Sequence, residues 1–288
     1  MTRHAISVDV EDWYQSTVDA GAELSDRFER STQAVLEAFA ARDVHGTFFV
    51  LGLAAEKAPQ VVRAIAEAGH EVQSHGYGHV EVFKTTREEF RQDLLRAKGM
   101  LEDLIGQEVF GYRAPSFSMD ERTPWAHAVL AETHHRYSSS IFPIKMSRYG
   151  IDGYPPAPTV LRPPGGLRII EAPVACFDFL GKRRPVGGGG YFRLYPYRLI
   201  RAAWRQLDRI GRPGIVYMHP YEYDPGEMAA YRENVSWKLR LHQSLGRKGF
   251  ARKVDRLLEE FEFGGIWELV RPMLARLGQA GPDEQLNA

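Results

Sequence analysis

The chain has 288 residues, 44% of them hydrophobic, enough to bury the core of one large α/β barrel or of two smaller domains. Thirty-seven basic and thirty-seven acidic residues cancel to a net charge of +0, so overall charge favours neither nucleic acid nor an anionic surface and suits an uncharged substrate. Cys176 is the single cysteine, which excludes an intrachain disulfide framework and a Cys-rich zinc site; any metal must be held by His and carboxylates.

The opening MTRHAISVDVEDWYQ lacks the apolar core of a secretory signal, and no run of about eighteen apolar residues occurs, so a cytoplasmic protein without a transmembrane segment is expected. Apolar, β-branched and aromatic runs predict strands at 5–10, 47–51, 71–73, 109–112, 168–175 and 215–218. Helical spacing fills the intervals. Val35, Leu36 and Phe39 fall on one face of 31–42, and Val62, Ile65 and Ala66 do so in 59–68, which stops at Gly69. Thr86 and Glu89 form a capping box for a helix running to about Ile105, with Gly106 as its stop. This alternation is the pattern of parallel βα units.

Residues 142–164 are too rich in Pro, Gly and Tyr for a regular element, and Gly187–Gly190 precede YFRLYPY. Both segments are expected to be long surface loops, and Tyr149, Tyr154, Tyr191, Phe192 and Tyr195 on them suit contacts to a sugar ring. The stretch from Trp237 to about Leu277 regains helical periodicity through Val254, Leu257, Leu258, Phe261, Trp267 and Val270, and a polar tail, 279–288, follows.

Four clusters sit at predicted strand ends. Asp9, Glu11 and Asp12 follow the first strand; Asp9 and Glu11, two apart, share a face, whereas Asp12 faces away unless the chain has turned, and an N-cap or loop role is the alternative reading for this group of acids. His75 and His79 have the i, i+4 spacing that puts two imidazoles on one side of a helical turn. Arg113 stands in YRAPS, and His219 closes IVYM. Singly, each has a plain structural reading. Together they supply what metal-dependent amide hydrolysis requires: ligands for a divalent ion, a carboxylate base, a cation to tune it and an acid for the leaving amine.

With these motifs in hand, the chain resembles the polysaccharide deacetylases of the NodB-homology type, the family 4 carbohydrate esterases. SVDVED matches the family's first motif, GHEVQSHGYGH the second with Gly76 in place of Ser or Thr, RAPS the third with Ser116 in place of Tyr, and IVYMHP the fifth. YRAPSFS, GGGYFRLYPY, YMHPYEYDP and FEFGGI resemble more narrowly the exopolysaccharide-locus deacetylases associated with exosortase systems. The resemblance implies a distorted (β/α) barrel over residues 1–222 with a helical extension, 223–288, packed on it. It implies removal of N-acetyl groups from an amino-sugar polysaccharide or its precursor with a divalent metal, usually zinc.

Residue by residue, the resemblance makes Asp9 the general base, His219 the general acid, Arg113 the cation that orients the base, and His75 and His79 metal ligands. Glu11 is the favoured acidic ligand because it shares a face with Asp9, and Asp12 is the alternative. The backbone N–H of Ser116 is a candidate oxyanion donor. Trp13, Tyr77, Pro115, Ser116, Tyr191 and Phe192 are expected at the substrate, an N-acetylated glycan, and peripheral contact with polysaccharide-export machinery is the expected association. The family's fourth motif supplies an aspartate behind the acid histidine; here Ser138 aligns with it, which leaves Glu222 or another carboxylate as a substitute, or His219 titrating low. A cyclic ureide or imide hydrolase of the same fold and an inactive sugar-binding scaffold are the alternative readings.

Overall fold

The computed structural model describes residues 2–275. Its strands are β1 (His4–Val10), β2 (Thr47–Val50), β3 (Glu71–Ser74), β4 (Gly111–Tyr112), β5 (Tyr137–Ser138), β6 (Thr159–Leu161), β7 (Ile169–Glu171), β8 (Cys176–Phe179), β9 (Lys182–Pro185), β10 (Ile215–Met218) and β11 (Phe263–Gly264). The main sheet runs β10-β1-β2-β3-β4-β5-β7-β6, with β11 also on β1. Every pairing in it is parallel except β6 with β7, and β8 and β9 form a separate hairpin.

β1 is buried along its whole length, as a central parallel strand covered on both faces must be. Ile6, Val8 and Val10 enter the largest core cluster with Phe28, Val35 and Phe39 of the helix Arg27–Ala40 and Val62 and Ile65 of the helix Pro59–Glu67. The strand period of two then sends Ser7 and Asp9 to the opposite, inner face. The helix Arg87–Ile105 starts at the Thr86–Glu89 capping box and stops at Gly106 in left-handed conformation, as predicted.

The sheet curls into a half-barrel, and no ladder joins β7 to β10. Irregular backbone spans that interval: Ala175 N–H donates to Ile215 O, and Tyr217 N–H to Gly187 O. This explains the glycine cluster. A Cβ on Gly188, at φ 151°, would lie 1.9 Å from the Tyr217 carbonyl oxygen. Gly187–Gly189 are buried against β10, which corrects the expectation of a surface loop there. The 142–164 segment, expected to hold no regular element, contributes β6, whose antiparallel pairing with β7 needs only three residues.

The C-terminal segment is built into the fold. β11 pairs with His4 and Ala5, and Val254, Leu257, Leu258, Phe261 and Phe263 join the core cluster of Ile6 and Val8. The helix Ile266–Ala275 starts beneath the sheet, where Ile266 N–H donates to Thr47 Oγ1 and Trp267 N–H to Glu71 Oε2. Both acceptors begin strands, so this helix closes the N-terminal end of the half-barrel and leaves the C-terminal strand ends open. The polar tail, 279–288, lies outside the described residues. No helix among them is long and apolar enough to cross a membrane.

Candidate active site

The C-terminal ends of β1, β3, β4 and β10 surround a cleft of about 170 Å³ lined by Asp9, Glu11, His75, His79, Ser116 and His219. Carboxyl ends of parallel strands are where α/β folds gather their chemistry. Around these residues stand Ser16, Thr17, Phe117, Arg148, Tyr149, Tyr217 and Tyr221.

One ligand atom each from Glu11, His75 and His79 lies within 4.8 Å of the others. Glu11 Oε2 is 2.9 Å from His79 Nε2 and 3.4 Å from His75 Nε2, yet it is buried and makes no well-formed hydrogen bond. His75 Nδ1 lies 2.8 Å from the Arg113 carbonyl oxygen, which can only accept; Nδ1 therefore carries the hydrogen and Nε2 presents a lone pair. Burial disfavours the charge on Glu11, but His79, His75 and His219 outweigh it and hold the carboxyl well below the usual range. Two imidazoles and an ionised carboxylate aimed at one point form a donor set that fits a divalent ion such as zinc and leaves a coordination position open.

The His pair is not on a helix. Residues 75–79 form an irregular turn in which Gly76 (φ 77°) and His79 (φ 58°) take left-handed conformations, bringing the rings to 5.6 Å. Ser116 (φ 55°) and Phe117 (φ 50°) are also left-handed and also line the cleft; such strained residues collect where a site dictates the backbone.

Asp9 and Arg113 form a buried pair, Oδ1 to Nη1 at 2.7 Å. Arg113 is fixed on every side: Nη1 also donates to Ser7 Oγ at 2.8 Å, Nη2 to Ser139 Oγ at 2.8 Å and Nε to Ser139 O at 3.0 Å, while Phe49 stacks against the guanidinium. Ser7 and Ser139 did not stand out in the sequence, although Ser7, two residues before Asp9, shares its face. The Ser116 N–H has no partner among the described residues.

His219 stacks on Tyr221, ring centroids 4.7 Å apart, and its Nε2 is 3.7 Å from Glu11 Oε1. Its Nδ1 faces Glu222 Oε2 at 3.3 Å, and Arg193 Nε holds the other Glu222 oxygen at 3.0 Å. Burial lowers the proton affinity of His219, but the Glu222 hydrogen bond and the charges of Glu11, Glu222 and Asp9 outweigh it, so its pKa is raised. Ser138 Oγ instead donates to Ser140 Oγ. The carboxylate behind His219 is thus Glu222, three residues along the chain.

Asp12 lies outside the ligand group. Its Oδ1 caps the helix Trp13–Thr17 by accepting from Tyr14 and Gln15 N–H, and its Oδ2 accepts from Ser25, so the chain has turned and both oxygens are occupied. Several residues expected at the substrate lie elsewhere. Trp13 is buried against Tyr231, Phe192 is buried against Phe250, and Tyr77 bonds Glu56 beneath Arg96. Tyr191 reaches Met146, and Pro115 is buried beside Ser116. Tyr149 does reach the cleft, with Arg148, from the proline- and glycine-rich loop.

Residues 11–136 match the family model described as polysaccharide deacetylase, and residues 139–271 match a domain of unknown function, DUF3473. Glu11, His75, His79 and Arg113 fall in the first stretch, and His219 and Glu222 in the second. The chain is 31% identical over 96 residues to the peptidoglycan-N-acetylglucosamine deacetylase of Bacillus cereus, covering 33% of this chain and 35% of that protein. It is 32% identical over 143 residues to the chitooligosaccharide deacetylase of Sinorhizobium fredii, covering 49% and 65%. The matched segments thus span about a third and two thirds of these relatives. A solved structure from Mycobacterium smegmatis described as a polysaccharide deacetylase shares the fold, with a TM-score of 0.67 at 22% identity over 95% of this chain and 90% of that one.

Proposed function

We propose that this chain, which belongs to the polysaccharide deacetylase family through residues 11–136, hydrolyses N-acetyl groups on an amino-sugar polysaccharide or its precursor with the help of a divalent metal. The observation that carries the proposal is the convergence of Glu11, His75 and His79 beside two pairs, the buried Asp9–Arg113 and the partly buried His219–Glu222. Zinc suits the two nitrogens and one oxygen best.

Glu11, His75 and His79 would hold such an ion, which would supply Lewis acidity toward the acetyl carbonyl and the attacking water. Asp9, oriented by Arg113, takes the proton from that water as its oxygen adds to the carbonyl carbon. The Ser116 N–H offers a donor to the oxygen that gains charge. His219, protonated and steadied by Glu222, gives its proton to the amide nitrogen as the C–N bond breaks. Acetate and a free amine leave. Tyr149 offers a flat face to a sugar ring at the cleft wall.

The test is release of acetate, matched by new amine, from N-acetylglucosamine oligomers and partly acetylated glycans. Stoichiometric release that stops on chelation supports the proposal. Hydrolysis of a cyclic ureide with no acetate from any glycan would replace it with the amidohydrolase reading, and inertness toward both would favour the scaffold.

A further inference from the structure

The helix Trp237–Ser244 buries none of its residues, yet it is apolar on two sides. Its inner side lays Leu239 on a cluster of Trp13, Met228 and Val235 that also includes Tyr221. Its outer side carries Trp237 and Leu241, four residues apart and so on one face, 64% and 55% exposed; Leu245 follows at 46%. Leu194, 55% exposed, adjoins them because Arg193 donates to the carbonyls of Gln243 and Leu245. A group of large exposed apolar side chains marks an interaction surface.

Charge selects the occupant. Residues 234–254 hold six basic side chains and no acidic one, in a chain whose totals are equal at 37 each. Lys238, Lys248 and Arg252 among them are exposed. Nucleic acid would use the cations and leave Trp237 and the leucines in water. A bilayer with anionic headgroups uses both: the indole and leucines enter the headgroup–acyl boundary while the cations stay among the phosphates. We propose that Trp237, Leu241, Leu245 and Leu194, flanked by Lys238 and Lys248, form a docking surface for an anionic lipid bilayer.

The surface adjoins the cleft. Tyr221, in the cluster beneath Leu239, also lines the cleft, and Arg193, which holds the Gln243 and Leu245 carbonyls, pairs with Glu222. Docking assumes nothing about the reaction, so vesicle binding and hydrolysis can fail separately.

The purified full chain should co-sediment with phosphatidylcholine vesicles containing phosphatidylglycerol, bind phosphatidylcholine alone less, and be released as salt rises. Trp237→Ser with Leu241→Ser should lower the partition coefficient at least about tenfold at an unchanged melting temperature. Lys238→Glu with Lys248→Glu should remove the preference for anionic lipid. A wild-type chain that stays in the supernatant with anionic vesicles, or a Trp237/Leu241 double variant that sediments like the wild type, overturns the proposal. So does a wild-type dimer that the same double variant abolishes without any vesicle binding, which would give the surface to a second copy of the chain.

Discussion

Glu222 Oε2 accepts the His219 backbone N–H at 3.1 Å and faces Nδ1 of the same residue at 3.3 Å, so one carboxylate fixes both the main chain and the ring of the proposed acid. Burial opposes the imidazolium, and Glu222, Glu11 and Asp9 together more than offset it. A raised pKa keeps the acid protonated to higher pH. The alkaline limb of kcat should therefore lie above the unperturbed imidazole value of about 6.5. An ion on Glu11 would offset that residue's share but not that of Glu222. Glu222→Gln should move the limb to lower pH, His219→Ala should remove it with at least about a hundredfold loss of turnover, and Ser138→Asp should leave it in place. A limb unmoved in Glu222→Gln contradicts the pairing.

The acidic triplet should divide into three separable effects. Asp9→Asn should lose at least about a hundredfold in turnover and keep its metal, whereas Glu11→Gln should lose both. Asp12→Ala should keep metal and turnover but lose about 1–2 kcal/mol of stability, because it removes a helix cap. Metal content, kcat and melting temperature, measured on all three variants, check this. Loss of metal in Asp12→Ala alone would return the ligand role to Asp12.

Asp9 and Arg113 should also be coupled in stability. Both are buried, so Arg113→Met strands a carboxylate and should cost about 3–5 kcal/mol. Adding Asp9→Asn removes the stranded charge, and the double variant should be more stable than Arg113→Met alone by denaturant melt. Simple addition of two losses would mean that the pair does not interact as the geometry says.

Two glycines should respond in opposite directions. Gly188→Ala pushes a methyl into the Tyr217 carbonyl and should cost at least about 3 kcal/mol. Gly99 lies inside the helix Arg87–Ile105 with nothing within 4 Å of an added Cβ, so Gly99→Ala should stabilise by about 0.5–1 kcal/mol. Paired melts test whether backbone contact explains the glycine cluster.

What could be read in the sequence follows the range of the forces involved. The Thr86–Glu89 box and Gly106 cap act within one turn, and the long helix has those ends. β1 alternates so regularly that the shared face of Asp9 and Glu11 could be read from spacing, and both reach the cleft. The His pair lies together for another reason: its spacing suggested a helical turn, whereas left-handed backbone at Gly76 and His79 does the work. Long-range packing was hidden. Nothing local to Gly187–Gly190 announces a contact with β10, and nothing in VEDW shows that Trp13 turns inward to Tyr231. Ser138 drew attention through its place in a family motif, while the carboxylate that serves His219 sits three residues away in HPYE, within reach of a reading by local spacing.

Metal content of the purified chain, measured beside His75→Ala and His79→Ala, tests the central claim most directly. The donor set of Glu11, His75 and His79 should hold about one divalent ion per chain, and removing either imidazole from so small a set should leave a folded protein nearly free of metal and of acetate release. A wild type without metal that still releases acetate, or variants that keep a full complement, would contradict the account.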